Sequence, residues 1–246
     1  MPFTLPPQEE KAEYVQRQFD RIAQGYDLTN DVISLGMHHS WKRAAIELLA
    51  VQATGSYLDV CCGTGDLTLK LAQRLGESGS VFGLDFSANM LSVAAQRLSR
   101  QPKKPTVSFV QADALVLPFP DHTFDGAIIS FGLRNLTSYQ KGIEEMKRVV
   151  KPGGAVINLD LGRSNVPVFS QLFAFYFRHV VPIVGQVLQS DKQAYTYLPV
   201  SMSAYPPPDG ITQIFAAAGL VDVRYYPLAL ATVALHKGIV AQKKSC

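Results

Sequence analysis

The sequence predicts an α/β fold: a doubly wound, mostly parallel sheet of seven strands with an antiparallel last strand and an inserted helical cap. Three observations carry this. Short apolar, β-branched runs alternate from Ser56 onward with stretches of helical apolar spacing, the pattern of parallel strands joined by helical crossovers. The first of these runs passes through two glycines directly into a helix, as the opening strand of a βαβ unit does. The 246 residues, 47% hydrophobic and 17% charged, suffice for one large core and fall short of two domains with a linker. Residues 1–246 are therefore read as a single domain, with helices over 1–50.

Taken in order, Val15, Phe19, Ile22 and Tyr26 recur at helical spacing and Gly25 helps to end that helix. Asn30 to His39 reads as a loop, and Trp41, Ala45 and Leu48 mark a second helix. Strand Ser56–Val60 leads to a helix with Leu67, Leu71 and Leu75 inward, then to strand Val81–Asp85. Ser87 caps a helix that turns Leu91, Ala94 and Leu98 inward. Strands Val107–Gln111 and Phe124–Ser130 follow. A helix with Ile143, Met146 and Val150 is stopped by Lys151-Pro152-Gly153-Gly154 before strand Ala155–Leu161. Residues 163–208 break the rhythm with Phe169, Phe173, Phe175, Tyr176, Phe177, Tyr195, Tyr197 and Tyr205, and are read as the helical cap. Asp209 then caps a helix that Gly219 ends, and Val221–Pro227 and Thr232–His236 form a final strand pair.

Composition narrows the partners. A net charge of +3 with no basic block beyond Lys147-Arg148 and Lys103-Lys104 argues against nucleic acid. High apolar content points to an apolar ligand or a membrane surface. Three cysteines, two of them adjacent, make neither a disulfide framework nor a zinc site, so no metal and a reducing compartment are expected. The amino terminus has no signal or transit character, and Val166 to Gln189 is interrupted by Arg178, His179 and two prolines, so a cytoplasmic location without a membrane span is expected.

The most informative stretch is Leu58-Asp59-Val60-Cys61-Cys62-Gly63-Thr64-Gly65-Asp66. Gly63 and Gly65 permit a tight turn and let backbone approach a ligand. Asp85 ends the next strand, where its carboxylate can accept from both hydroxyls of a ribose. NAD and S-adenosylmethionine both satisfy that much. Position 68 is Thr, so the third glycine of a pyrophosphate loop is missing, and Asp59 and Asp66 stand beside the ligand. Two carboxylates repel a pyrophosphate and suit a sulfonium and an ammonium, which favours S-adenosylmethionine.

Two longer stretches carry a family resemblance. They are Tyr26-Asp27-Leu28-Thr29-Asn30-Asp31-Val32-Ile33-Ser34-Leu35-Gly36-Met37-His38-His39-Ser40-Trp41 and Arg148-Val149-Val150-Lys151-Pro152-Gly153-Gly154, with Leu117-Pro118-Phe119-Pro120 and Ser130-Phe131-Gly132-Leu133-Arg134-Asn135 between them. Over nearly its whole length the chain resembles the quinone-biosynthesis C-methyltransferases of the ubiquinone/menaquinone type, which are class I S-adenosylmethionine enzymes. Thr29 stands where that family usually has Met, and Asp160 and Gly162 where many members have Glu and Ser. The Asp and the wording Leu84-Asp85-Phe86-Ser87 look more like the phylloquinone branch of plants and cyanobacteria. The resemblance implies a prenylated naphthoquinol substrate, demethylphylloquinol or demethylmenaquinol, with a methoxy-benzoquinol as the alternative. It implies cofactor contacts at Thr64, Asp85, Asp113, Ala114 and Ser130, added to Asp59, Gly63 and Gly65 from the loop.

Methylating a ring carbon needs an electron-rich ring, hence the quinol and not the quinone. Its hydroxyl, with a pKa near ~10, requires a base or a group that favours the anion. Arg134 is expected to stabilise the oxyanion, Asn135 to orient the ring oxygen, and Tyr26 and His38 to serve from the amino-terminal motif. The cap aromatics would line a channel for the tail, with the protein peripherally attached to a membrane. A homodimer is left open, as are a nicotinamide dehydrogenase and a non-catalytic cofactor-binding subunit.

Overall fold

The computed structural model describes residues 7–101, 106–162, 167–189, 197 and 200–242. The expected Lys103-Lys104, Tyr195 and the cap boundary at Arg163 lie outside the described residues, as does the side chain of Phe169. Seven strands form one sheet: β1 (Ser56–Val60), β2 (Ser80–Asp85), β3 (Thr106–Gln111), β4 (Phe124–Ser130), β5 (Val150–Leu161), β6 (Leu220–Leu228) and β7 (Val233–Val240). Their spatial order is β3-β2-β1-β4-β5-β7-β6. The β1–β2, β1–β4, β2–β3 and β4–β5 pairings are parallel, and β7 runs antiparallel between β5 and β6. The order reverses at β1, so a crevice opens beyond the carboxyl ends of β1 and β4, where such sheets bind ligands.

The amino-terminal part holds α1 (Gln8–Ile22), a 3₁₀ turn at Ala23–Gly25, α2 (Tyr26–Ser34) and α3 (Met37–Leu49). The expected loop from Asn30 to His39 is thus mostly helix. Leu35 and Gly36, both left-handed with φ of 52° and 72°, make the whole turn between two helices. Gly25 ends α1 only by way of the 3₁₀ turn, after which the chain coils again at once.

Between strands lie α4 (Asp66–Ala72), α5 (Ala88–Ser99) and α6 (Tyr139–Val149). Ser87 caps α5 as expected, its hydroxyl accepting the Met90 N–H at 3.1 Å. The inward face of α5, however, centres on Met90 and Ala94, while Leu91 and Leu98 are half-buried. Val150 belongs to β5 and not to the preceding helix, and the Lys151–Gly154 stretch is carried in that strand as a register slip opposite Phe124 and Gly126.

The described part of the cap includes α7 (Pro167–Phe175), a π-helical turn at Tyr176–Val180, and α8 (Val181–Gln189), with further helical residues at 197 and 200–204. Pro182 has no N–H and its ring crowds the preceding turn, which the wider π spacing relieves. In α9 (Pro208–Ala217) the N-cap is Pro207 and Asp209 sits inside the first turn, so its charge favours the helix end without a capping bond. The closing strand pair runs further than its apolar spacing suggests, to Leu228 and Val240.

Apolar side chains fill both faces of the sheet. Leu58, Ile129, Ile143, Met146 and Phe215 lie under α6 and α9; Ala45, Leu67, Leu71, Val81 and Ile157 lie under α3 and α4. A third cluster of Ile22, Ala23, Met90, Phe177 and Val181 fastens the cap to the amino-terminal helices. Truncating a fully buried leucine such as Leu71 costs about 2–5 kcal/mol.

Candidate functional site

The site is assembled at the carboxyl ends of β1, β2, β3 and β4. Gly63 and Gly65 are both left-handed, with φ of 55° and 75°. A Cβ on Gly65 would lie 3.0 Å from Ala94 and 3.1 Å from the Phe109 ring, so this glycine serves packing. One on Gly63 would meet nothing within 4 Å, so this glycine leaves bare backbone facing open space.

Asp85 is buried, and its two oxygens accept from Gly63 N–H at 2.8 Å and Ser87 N–H at 3.0 Å. Burial pushes its carboxyl up to about 6 while those amides hold it down. The Phe86 N–H also contributes, and the carboxylate keeps acceptor capacity for a ribose hydroxyl. Asp113 Oδ1 accepts from Leu115 N–H at 2.8 Å, which orients the carboxylate over the cleft. Ala114 is buried beside it, and the Ser130 hydroxyl is buried with no partner among the described residues.

These groups line two cavities. One, of about 90 Å³, is walled by Asp85, Phe86, Asp113, Ala114 and Ser130 and roofed by Ala12, Val15 and Phe19 of α1. The other, of about 780 Å³, is walled by His38, Trp41, Asp59, Arg134 and the cap. Tyr26, Cys61, Gly63, Ser130 and Phe131 belong to both, so the cavities meet at the glycine loop. Helix α1 is held over the smaller one by polar ties: Lys11 Nζ donates to the Leu136 carbonyl at 2.7 Å, Gln16 to Phe86 O at 3.2 Å, and Ser87 Oγ to Asp20 at 2.5 Å.

Several side chains differ from their expected surroundings. Asp66 is met by Lys42 at 2.8 Å, Lys70 at 2.5 Å and Arg97 at 3.4 Å, and those cations hold its carboxyl below the usual range despite burial. Its charge is spent within the protein, so of the two loop carboxylates Asp59 alone remains for a sulfonium. Asp59 is buried, accepts from Thr68 Oγ1 at 2.6 Å, and is pushed up to about 7 by burial. The residue at the absent third glycine therefore has a role of its own: Thr68 steadies Asp59. Thr64 turns its hydroxyl to Asp27 at 2.6 Å, and lines the larger cavity.

Arg134 is buried in an ion pair with Asp160. Nη1 reaches Asp160 Oδ1 and the Phe131 carbonyl, both at 2.6 Å, and the Arg134 N–H reaches Asp160 Oδ2 at 3.1 Å. Its Nε is buried and has no hydrogen-bond partner among the described residues. Sequence reasoning noted Asp160 only as a departure from family usage. Asn135 is separated from Arg134: it lines the smaller cavity, with Oδ1 accepting from Tyr197 Oη at 3.3 Å. Tyr26 stands at the junction of the cavities, its ring edge-on to Phe19 at 5.9 Å.

His38 lines the larger cavity with Nδ1 2.6 Å from Ser34 Oγ. Burial, with Lys42 and His39 nearby, lowers its pKa to about 4, so the imidazole is neutral, against the expectation of a base titrating near pH 7. Asp31, His38 and His39 bring three ligand-type atoms within 4.8 Å of one another. Lys70 Nζ lies 3.1 Å from His39 Nδ1 and supplies the hydrogen of that contact, so the His39 proton sits on Nε2, 2.7 Å from Asp31 Oδ1. In this arrangement His39 turns no lone pair towards the cluster. Of the cap aromatics, Phe173, Phe175, Tyr176 and Phe177 line the larger cavity, whereas Tyr205 is buried against the sheet with its hydroxyl 3.2 Å from Asn158 Nδ2.

A doubly wound sheet of this order, with a glycine turn after β1 and an acidic residue closing β2, has the class I methyltransferase fold, and the family match below makes the chain an S-adenosylmethionine-dependent methyltransferase. Solved structures share the fold: a putative S-adenosyl-L-methionine-dependent methyltransferase from Methanococcus maripaludis, with TM-score 0.64 and 16% identity, aligns over 92% of this chain and 95% of that one. A SAM-dependent methyltransferase from Thermotoga maritima, described as a possible histamine N-methyltransferase, gives TM-score 0.63 and 15% identity over 92% and 99%. The sequence is more specific. A model of the ubiE/COQ5 methyltransferase family matches residues 7–240, and the chain belongs to that family. Demethylmenaquinone methyltransferases from Desulfitobacterium hafniense and Shouchella clausii are 41% and 42% identical to it over 229 residues, 93% of this chain and 90% and 97% of theirs.

Proposed function

We propose that this protein transfers a methyl group from S-adenosylmethionine to a ring carbon of a prenylated naphthoquinol such as demethylmenaquinol or demethylphylloquinol. The observation that carries the reading is the wall shared by a small cleft holding Asp85 and Asp113 and a large apolar cavity, formed by Tyr26, Cys61, Gly63, Ser130 and Phe131. The relatives named above carry a naphthoquinone in their names, which favours that ring over a benzoquinol.

The residues fit the cofactor: Asp85 has lone pairs for a ribose, Ser130 lines both cavities with its hydroxyl unpartnered among the described residues, and Gly63 leaves its backbone open. Asp113 and the Ala114 N–H would hold the adenine, and Asp59 would face the positive end. S-adenosylmethionine supplies an electrophilic methyl next to a positive sulfur. The chain has to place a quinol carbon against it, exclude water, and favour negative charge on the neighbouring ring oxygen. Arg134, in the wall of the larger cavity, would supply positive charge to that oxygen, and Asp160 holds the guanidinium still. Tyr26, in the wall common to both cavities, would stand where the two ligands meet.

The mouth of the larger cavity is apolar. Leu35, 80% exposed, and Leu172, Phe175 and Leu230, each about 60% exposed, line it, and Ile183 and Val187 on α8 are also exposed. No helix among the described residues is long and apolar enough to cross a membrane. These side chains support a peripheral reading, in which the rim rests on the bilayer that dissolves the substrate's tail.

The test is incubation of the pure protein with labelled methyl donor and a panel of reduced benzoquinones and naphthoquinones. Label in the ring of the prenylated naphthoquinol is expected. Preference for a methoxy-benzoquinol overturns the ring assignment, and cofactor binding without transfer to any quinol overturns the catalytic one.

A further inference from the structure

The hydrogens around His38 can be assigned from heavy-atom distances alone. Ser34 Oγ lies 2.7 Å from the Asn30 carbonyl oxygen and 2.6 Å from His38 Nδ1. Each contact is a hydrogen-bond distance and requires one hydrogen. A carbonyl has none to give, so the Ser34 hydroxyl hydrogen must point at Asn30. The hydrogen of the second contact then comes from His38, which fixes the proton on Nδ1 and leaves Nε2 a bare lone pair.

Its surroundings keep it so. The nearest carboxylate oxygen, Asp31 Oδ1, is 3.7 Å from Nε2, beyond hydrogen-bond reach, and already accepts from the opposite tautomer of His39 at 2.7 Å. Lys42, which also faces the ring, is committed to Asp66 at 2.8 Å. His38 is buried and, with Ser34, lines the larger cavity, a place where unmet hydrogen bonds are costly.

A quinol and its quinone have nearly the same shape and differ at the ring oxygens: the quinol has O–H donors, the quinone only acceptors. We infer that His38 Nε2, held as an acceptor by the Asn30–Ser34 chain, makes the larger cavity select the reduced ring over the oxidised one. A quinol hydroxyl donates to Nε2; a quinone oxygen placed there sets two lone pairs against each other in a buried site. His38 is thereby a specificity-determining residue and Ser34 a positioning residue that acts through it. The inference rests on the proposed quinol substrate and adds a filter on its oxidation state, so the oxidised ring does not block the cavity.

The experiment measures binding of a short-chain prenyl-naphthoquinone by calorimetry, with S-adenosylhomocysteine present. The oxidised ring is titrated in air and the reduced ring under anaerobic reductant. The wild-type protein is expected to bind the quinol about tenfold or more tightly than the quinone, since a site built for one hydrogen bond rejects the analogue lacking it. In His38→Gln, whose amide can donate as well as accept, and in Ser34→Ala, whose imidazole is free to move its proton, the ratio is expected to fall to within about threefold, with Ser34→Thr restoring it. A wild-type ratio near one, or an unchanged ratio in His38→Gln, overturns the inference. Methyl transfer by the wild-type protein to the same quinol is scored separately, so loss of the proposed function and loss of the filter are distinct results.

Discussion

The Thr64 hydroxyl donates to Asp27 Oδ1 at 2.6 Å, tying the glycine loop to α2, the helix whose other residues wall the larger cavity. Arg97 joins the same pair, with Nη1 on Asp27 Oδ2 at 2.5 Å and on the Thr64 carbonyl at 3.3 Å. The loop expected to touch one ligand is thus held by the element that contains the other. Asp27→Ala is expected to weaken cofactor binding about three- to tenfold and to raise KM for the quinol as well, the worth of one hydrogen bond at a part-exposed site. Calorimetry with the cofactor and steady-state kinetics with the quinol check both; an effect on neither removes the tie from the mechanism.

Asp85 holds two backbone amides of the fold and, as proposed, would hold the ligand too. Asp85→Ala deprives a ribose of its acceptor and leaves Gly63 N–H and Ser87 N–H without theirs. Cofactor affinity is expected to drop by about 3 kcal/mol or more, with a loss of stability of about 1–3 kcal/mol. Titration calorimetry and urea unfolding of the unliganded protein read the two effects independently.

Asp59 makes stability depend on pH in an unusual direction. Its carboxyl titrates at about 7 in the folded chain and near ~4 when unfolded, so between those values the folded state holds a proton that the unfolded state lacks. Stability from this group therefore falls as pH rises towards 7 and is level above it. His38, lowered to about 4, works the opposite way below pH ~6.5. Asp59→Asn is expected to be more stable than the wild type at pH 8 by a few kcal/mol on the order of the shift, and level with it near pH 4. Denaturant titrations of both proteins across that range test the sign.

The Arg134–Asp160 pair separates positioning from charge. Asp160→Asn leaves a buried guanidinium without its counter-charge and is expected to cost about 3–5 kcal/mol of stability. Arg134→Lys keeps the charge but not the planar fork, and is expected to lower kcat about 10²-fold with cofactor affinity unchanged. A rate within a factor of two of wild type would make Arg134 structural.

At the rim, Leu230→Asp removes an exposed leucine from the tip between β6 and β7. With the rim on lipid, as proposed, liposome binding is expected to weaken about tenfold, the worth of one buried leucine side chain. Co-sedimentation against lipid concentration measures it.

What was legible in the sequence was local. The bounds of β1 and β4 follow from apolar runs ending in glycine or polar residues, and Ser87 announces its helix by its side chain alone. Asp85 was legible because it ends a strand, whereas Asp113, Ala114 and Ser130 came from the family resemblance; all four lie at or just after strand ends, which a parallel sheet gathers in one crevice. Partners distant in sequence were not legible. Nothing local to Asp66 tells that Lys42 and Arg97 neutralise it, nor that Asp160 binds Arg134 across 26 residues. Asn30 to His39 misled because its Asn, Ser and Gly residues favour turns, whereas packing against the cap made most of it helical.

The two cavities differ in what they open onto. The narrow one is covered by α1 through polar ties; the wide one ends in leucines and phenylalanine at the surface. A water-soluble reactant and an oil-soluble one can therefore arrive from different phases, each without crossing the other's path, and share only the few atoms at the glycine turn. With the rim on lipid, as proposed, the molecule would act as a stationary phase boundary, and its turnover would depend on two independent supplies: the aqueous pool on one side and the surface density of lipid on the other.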